Sequence, residues 1–183
     1  MSNMDSTAAR GLTELVERLE KATGPDRELD ALIFIHVNGW SVWRSKHGYW
    51  QFDGPGGSAN DVCWSNYGSM PPKFDPDTGK KNPAYDEIPY TQFASARDVP
   101  EYTSSLDAAR SLMPTHTLWA SGLMEDGPFC RVIAPMPNGG YVGGYSEAVG
   151  AATVEIATAI AALKARLALL RAAASPTPAR VES

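Results

Sequence analysis

Cysteine is scarce. The chain has two, Cys63 and Cys130, widely separated and without the Cys-x-x-Cys spacing of a zinc or redox motif, so two reduced thiols in a cytoplasm are expected rather than a disulfide framework. Only the tertiary fold could bring them together. Long apolar runs are missing as well: no stretch approaches the roughly 18 residues of a membrane span. The first ten residues also lack the apolar core of a signal peptide, which argues against export. Basic residues are outnumbered, 16 Lys and Arg against 21 Asp and Glu for a net charge of −5, and they form no run. A protein that grips nucleic acid or anionic membrane without specificity needs a concentrated cationic field, so neither is an expected partner.

The familiar catalytic and metal signatures are equally thin. His36, His47 and His116 lie on three different segments, and none has a second ligand at i+3 or i+4, so no metal site is expected. His36 reads as a hydrogen-bonded histidine on the buried side of a helix. Asp75, Asp77 and Gly79 outline a calcium-like loop, but Gly79 stands where an oxygen ligand is required, and the stretch reads as an ordinary turn. There is no Gly-x-Ser-x-Gly, and Gly54, Gly56 and Gly57 precede Ser58 without the strand-to-helix context of a nucleophile elbow. Nor does Gly-Lys-Ser or Gly-Lys-Thr follow them, so they make no phosphate loop. No catalytic residue and no cofactor is therefore expected. The carboxylates Asp26, Glu28 and Asp30 read as surface charge complementing a helix dipole.

What is present is an ordinary globular composition: 183 residues, 43% hydrophobic and 20% charged. A chain of this length can bury roughly 70% of its unfolded surface without a metal or disulfide. One domain over 10–174 is expected, between a disordered start at 1–9 and a disordered tail at 175–183. Leu12, Leu15, Val16 and Leu19 fall at i, i+3, i+4 and i+7, with Glu14–Arg18 and Glu17–Lys21 pairs opposite, which predicts an amphipathic helix. Gly24 and Pro25 end it and start a second helix, whose buried stripe is Leu29, Leu32, Ile33 and Val37.

Trp40 opens a segment in which aromatic and polar residues alternate. Strands are predicted at 41–45 and 49–52 about a turn at Lys46, His47 and Gly48, with a further short strand around 62–67. Residues 74–89 are turn-rich and lack a period, and loops of that length tend to be functional or disordered. Ser104 and Asp107 then start a short helix that Pro114 ends. An antiparallel meander of strands follows at 115–121, 129–134 and 141–145. Finally Thr153 caps a long helix with Ile156, Ile160, Leu163, Leu167 and Leu170 on one seam, which covers the sheet and could also seat a partner helix in a homo-oligomer. The fold class is α+β: an antiparallel β-sheet covered by α-helices, with an aromatic-rich insertion at about 50–100.

Four of the five tryptophans, Trp40, Trp43, Trp50 and Trp64, lie in that aromatic stretch together with Tyr67 and Arg44. Flat aromatic faces stack on bases, nucleotides or proline-rich segments and are enriched at binding hot spots, so these six residues are the candidate binding set. The competing expectation is that they are core. Strand alternation puts Ser41, Trp43 and Ser45 on one face and Val42 and Arg44 on the other, with Trp43 the more exposed.

Three segments carry a resemblance: Gly11 to Asp30 (GLTELVERLEKATGPDRELD), Tyr102 to Pro114 (YTSSLDAARSLMP), and Ala151 to Thr153 leading to Ala161 through Arg166. In this order they are similar to small proteins of phages and proteobacterial prophages that carry the phage ABA sandwich domain. The likeness covers about half of the chain and is strongest in the helices. It implies helices packed on an antiparallel sheet, and no activity, cofactor or catalytic residue to carry over. Val154 stands where those proteins commonly have proline after the capping threonine, and they largely lack the segment Trp50 to Phe93. The expectation is a phage- or prophage-encoded accessory protein that binds an unknown host or phage protein, or a small molecule, in the host cytoplasm. A minor virion or assembly component and a nucleotide-sequestering protein with its pocket in the insertion are the alternatives.

Overall fold

Among the described residues, two three-stranded antiparallel sheets form where the sequence pattern suggests one. The computed structural model describes residues 3–56, 64–68, 70–134 and 146–174. Their elements run α1 (Asn3–Glu20), α2 (Arg27–Val37), β1 (Ser41–Arg44), β2 (Trp50–Asp53), β3 (Trp64–Ser65), a 3₁₀ turn (Pro83–Tyr85), α3 (Tyr90–Ala96), α4 (Leu106–Ser111), β4 (Leu118–Met124), β5 (Gly127–Ile133), β6 (Ser146–Val149) and α5 (Val154–Ala174). The mixed α+β class with antiparallel pairing is as expected. The chain divides into two compact units, residues 1–29 with 100–183, and residues 30–99. The aromatic insertion thus belongs to a unit that begins earlier than the expected residue 50.

In the first unit, α1 buries Leu12, Leu15, Val16 and Leu19, as their spacing dictates. It is helical from Asn3, within the stretch expected to be a disordered start. The anticipated pairing of Glu14 with Arg18 does not form: Glu14 pairs back to Arg10 at 2.8 Å, and Arg18 reaches Glu28 at 2.9 Å. Thr153 caps α5 as expected, its Oγ1 accepting the N–H of Ile156 at 3.2 Å. The α5 seam packs against α1, α4, β5 and β6, so Ile156, Ile160, Leu163 and Leu167 are buried inside the unit and only Leu170 of the series is exposed. The seam proposed for a partner helix is therefore filled by the chain's own elements. Ser105, rather than Ser104, caps α4, accepting from the Ala108 N–H at 3.3 Å. Arg166 Nε donates to the Leu112 carbonyl at 2.5 Å, tying the end of α4 to α5.

Order in the second sheet is β4-β5-β6, with every residue of β4 paired to β5 from Leu118↔Ile133 to Met124↔Gly127. Cys130, Val132 and Ala148 face inward under α5. The opposite face carries exposed Leu118, Met124 and Val149, so the described helices cover this sheet on one side. The expected third strand at 141–145 lies outside the described residues, and β6 begins directly after it.

The second unit holds most of α2 and the first sheet. Asp26 Oδ1 caps α2 by accepting the N–H of Glu28 at 2.8 Å and of Leu29 at 3.2 Å. Two expectations for this helix fail. Asp30 is buried rather than on the surface, because α2 buries Leu29, Asp30, Ala31, Leu32, Ile33 and Ile35 around most of its circumference. His36 is exposed rather than buried, since it sits in the last turn, where packing ends and a basic ring suits the helix C-terminus. Strands β1 and β2 pair as Ser41↔Asp53 through Arg44↔Trp50, and β2 pairs β3 as Gln51↔Ser65 and Phe52↔Trp64. Their hairpin depends on Gly48, which has φ +90°; a Cβ there would run into the Tyr85 hydroxyl.

Helix α3 has no counterpart in the sequence reading, because Tyr90–Ala96 is a short helix inside an aromatic, turn-rich stretch. It delivers Phe93 to the inner face of the sheet. Phe93 stacks on Phe52 with centroids 4.3 Å apart and planes at 9°, and both rings are fully buried. Trp64, Trp40 and Phe34 surround Phe93 at 6.0, 5.4 and 6.2 Å. This aromatic knot is the core of the second unit.

Candidate functional site

Pleating and register sort the six candidate residues onto opposite faces of the β1-β2-β3 sheet. The inner face holds Val42, Arg44, Trp50, Phe52 and Trp64, aligned by the pairs Val42↔Phe52, Arg44↔Trp50 and Phe52↔Trp64. Trp64 meets Phe52 edge-on at 5.2 Å, and Trp40, just before β1, packs at 5.8 Å on Phe34 with the Arg97 guanidinium 5.0 Å from its ring. Trp50 lies with its ring centroid 5.3 Å from the Arg44 guanidinium. Its buried indole N–H meets no acceptor among the described residues. These three tryptophans are half-buried and pack against other rings or guanidinium groups of the unit.

Arg44 is also consumed within the unit. Its Nε donates to the Gly48 carbonyl at 2.8 Å, one terminal nitrogen to Asp86 Oδ1 at 3.0 Å, and the other to the Tyr85 carbonyl at 2.9 Å. The guanidinium also stacks 3.8 Å from the Tyr85 ring centroid. Lys81 bonds the second Asp86 oxygen. Bonds from Lys81 and then Arg44 hold the Asp86 carboxyl below the usual carboxylate value. The periodless stretch 74–89 is thus tied to the β1–β2 hairpin by Arg44, whose partners Tyr85 and Asp86 lie some forty residues away and carry no local signal. Within the stretch, Asp75 Oδ1 accepts the N–H groups of Asp77 at 2.9 Å and Thr78 at 2.8 Å, and Gly79 takes φ +65°. That is the turn expected there, with the Asp75 carboxyl lowered by the same bonds, Thr78 foremost.

Trp43 and Tyr67 lie on the outer face, 44% and 77% exposed. The ring of Tyr67 rests 4.8 Å from that of Tyr49. Trp43 is registered against Gln51, and Gln51 against Ser65, so the outer face presents Trp43, Tyr49 and Tyr67 around Gln51, edged by Ser41, Ser45, Asp53 and Ser65. The Trp43 indole donates to Asp53 Oδ2 at 2.5 Å, which fixes the ring and engages the one carboxylate of the face. No lysine or arginine occupies an outward position of these strands. Tyr49, Gln51 and Asp53 are missing from the candidate set read from sequence, although period-2 alternation across the hairpin would have placed them beside Trp43 once the register was known.

Other reactive groups are scattered. Cys130 is buried beneath α5, where desolvation pushes its thiol up, an effect partly offset by a hydrogen bond with Thr158. Cys63, and so any approach of the two thiols, lies outside the described residues. No group of three His, Cys, Asp or Glu among the described residues is arranged to hold a metal, and no described helix is long and apolar enough to cross a membrane. No family model, curated protein or solved structure matches the chain.

Proposed function

We propose that this chain is a phage- or prophage-encoded accessory protein of the host cytoplasm that acts by binding, and that its binding surface is the outer face of the β1-β2-β3 sheet. The observation that carries the reading is the division of the aromatic residues. Trp40, Trp50 and Trp64 are half-buried on the inner side of the sheet, whereas Trp43 and Tyr67 stand exposed on the outer face. Aromatic side chains lose little rotamer freedom on binding and bury large areas, which makes such a pair suited to a hot spot. The setting rests on the resemblance of the helical segments to phage and prophage proteins.

The chemistry of the face favours a protein partner over a nucleotide. Phosphate recognition calls for cations beside the stacking rings, but the outward positions are serine, glutamine and aspartate, and Arg44 points to the other side and is fully engaged. Proline or aromatic side chains of an extended segment fit an uncharged aromatic surface with an amide and hydroxyl rim. The test is affinity capture from host lysate with the wild-type chain and a Trp43→Ser/Tyr67→Ser variant, folding of the variant being checked by circular dichroism. A protein retained by the first and lost by the second is expected. Identical capture by both, or capture of nothing, would contradict the proposal.

A further inference from the structure

Among the described residues, strand β4 is an edge strand of its sheet. Edge strands carry a row of unpaired backbone donors and acceptors, and proteins blunt them with charge, proline, a bulge or shortness. The other edge of the same sheet follows that rule: β6 is four residues long and carries Glu147, paired with Arg131 at 2.6 Å. By contrast, β4 spans seven residues, LWASGLM, with no charge and no proline, and its pairing with β5 is continuous, without a bulge. Leu118 is 58% exposed and Leu123 75%, with Trp119 and Met124 also exposed; the Arg110 guanidinium lies 4.5 Å from the Trp119 ring centroid, and Leu118, Leu123 and Met124 leave both faces of the strand apolar at this edge.

We infer that β4 is a self-association edge, and that its occupant is β4 of a second copy, paired antiparallel about a two-fold axis at Ser121. The sequence is complementary to itself in that register. Leu118 falls opposite Met124 and Ala120 opposite Gly122 on one face, while Trp119 falls opposite Leu123 on the other. Every exposed apolar side chain of the strand then meets one from the partner copy, and the two three-stranded sheets join into one. Charge is compatible with this register, since the strand itself carries no ionised side chain. The acidic turn residues Glu125 and Asp126 come to lie beside Thr117 and His116 of the other copy instead of facing their own equivalents. An isologous contact of this kind closes as a dimer and leaves no further β4 edge for growth.

Sedimentation velocity of the full chain, from micromolar to submillimolar loading, should show a monomer–dimer equilibrium. Leu123→Lys puts a charge on an exposed edge position and should weaken the dimer at least tenfold with an unchanged circular dichroism spectrum. The register is read separately, in a Cys63→Ser background, by mixing Leu118→Cys chains with Met124→Cys chains and adding a short bis-thiol crosslinker. Covalent dimers are expected from the mixture, with little from either variant alone. A chain that stays monomeric throughout, a dimer indifferent to Leu123→Lys, or crosslinking as strong within one variant as in the mixture would each overturn the inference.

Discussion

Arg44 shows how a residue that looks like a binding group is set to structural work. Three hydrogen bonds and two aromatic rings surround it, and lysine can reproduce neither the planar fork nor the stacking. Arg44→Lys should therefore leave the β1–β2 hairpin paired but speed amide exchange across 81–86 by roughly tenfold or more, read by hydrogen-exchange mass spectrometry. Acid should act on the same loop. The Asp86 carboxyl is held below its ordinary value, so its contribution is complete above about pH 4 and fades as the pH falls through the lower native value. Asp86→Asn should show the loosened loop at neutral pH and lose that acid response. Cys130 gives the opposite case, a reactive side chain made inert. Burial raises its thiol, so in a Cys63→Ser background the native protein should resist a thiol reagent at pH 7 and react only on unfolding. Prompt labelling of the folded protein would contradict the buried placement.

Among the elements, legibility follows the range of the interactions. The helices α1 and α5 could be read because their 3.6-residue stripes and the Thr153 cap are local, and the β1–β2 hairpin because alternation flanks a glycine turn. His36 and Asp30 depart from expectation for a related reason: periodicity gives a face, but not where along the helix the packing stops, nor how much of its circumference is covered. Helix α3 leaves little trace in the sequence because its seven residues offer barely two turns of pattern, and its purpose is visible only in Phe93 against Phe52. The outer binding face was half legible. Alternation singled out Trp43, whereas joining it to Tyr49, Gln51 and Tyr67 required the register of three strands. Removing the central ring should test the core: Phe93→Ala leaves a cavity among Phe52, Trp64 and Trp40 and should cost about 3–5 kcal/mol in urea unfolding followed by tryptophan fluorescence. A cost under about 1 kcal/mol would mean that the knot is not tightly packed.

For the whole molecule, the aromatic residues divide between packing and surface. Trp40, Trp50 and Trp64 pack half-buried within the second unit, whereas Trp43 is 44% exposed. The exposed ring lies on the outer face of the first sheet, and the second sheet offers an apolar edge strand suited to another copy. The two surfaces lie in different compact units and their tests are independent, since a monomeric protein would still present Trp43. On the proposed function, the outer face of the first sheet binds and does not stabilise. The most direct measurement is Trp43→Ser alone, with melting temperature and partner retention read on the same sample. The account predicts a melting temperature within about 2 °C of wild type, as for a surface change, together with loss of the captured partner. A melting temperature that collapses as in Phe93→Ala, or a partner retained undiminished, would contradict it.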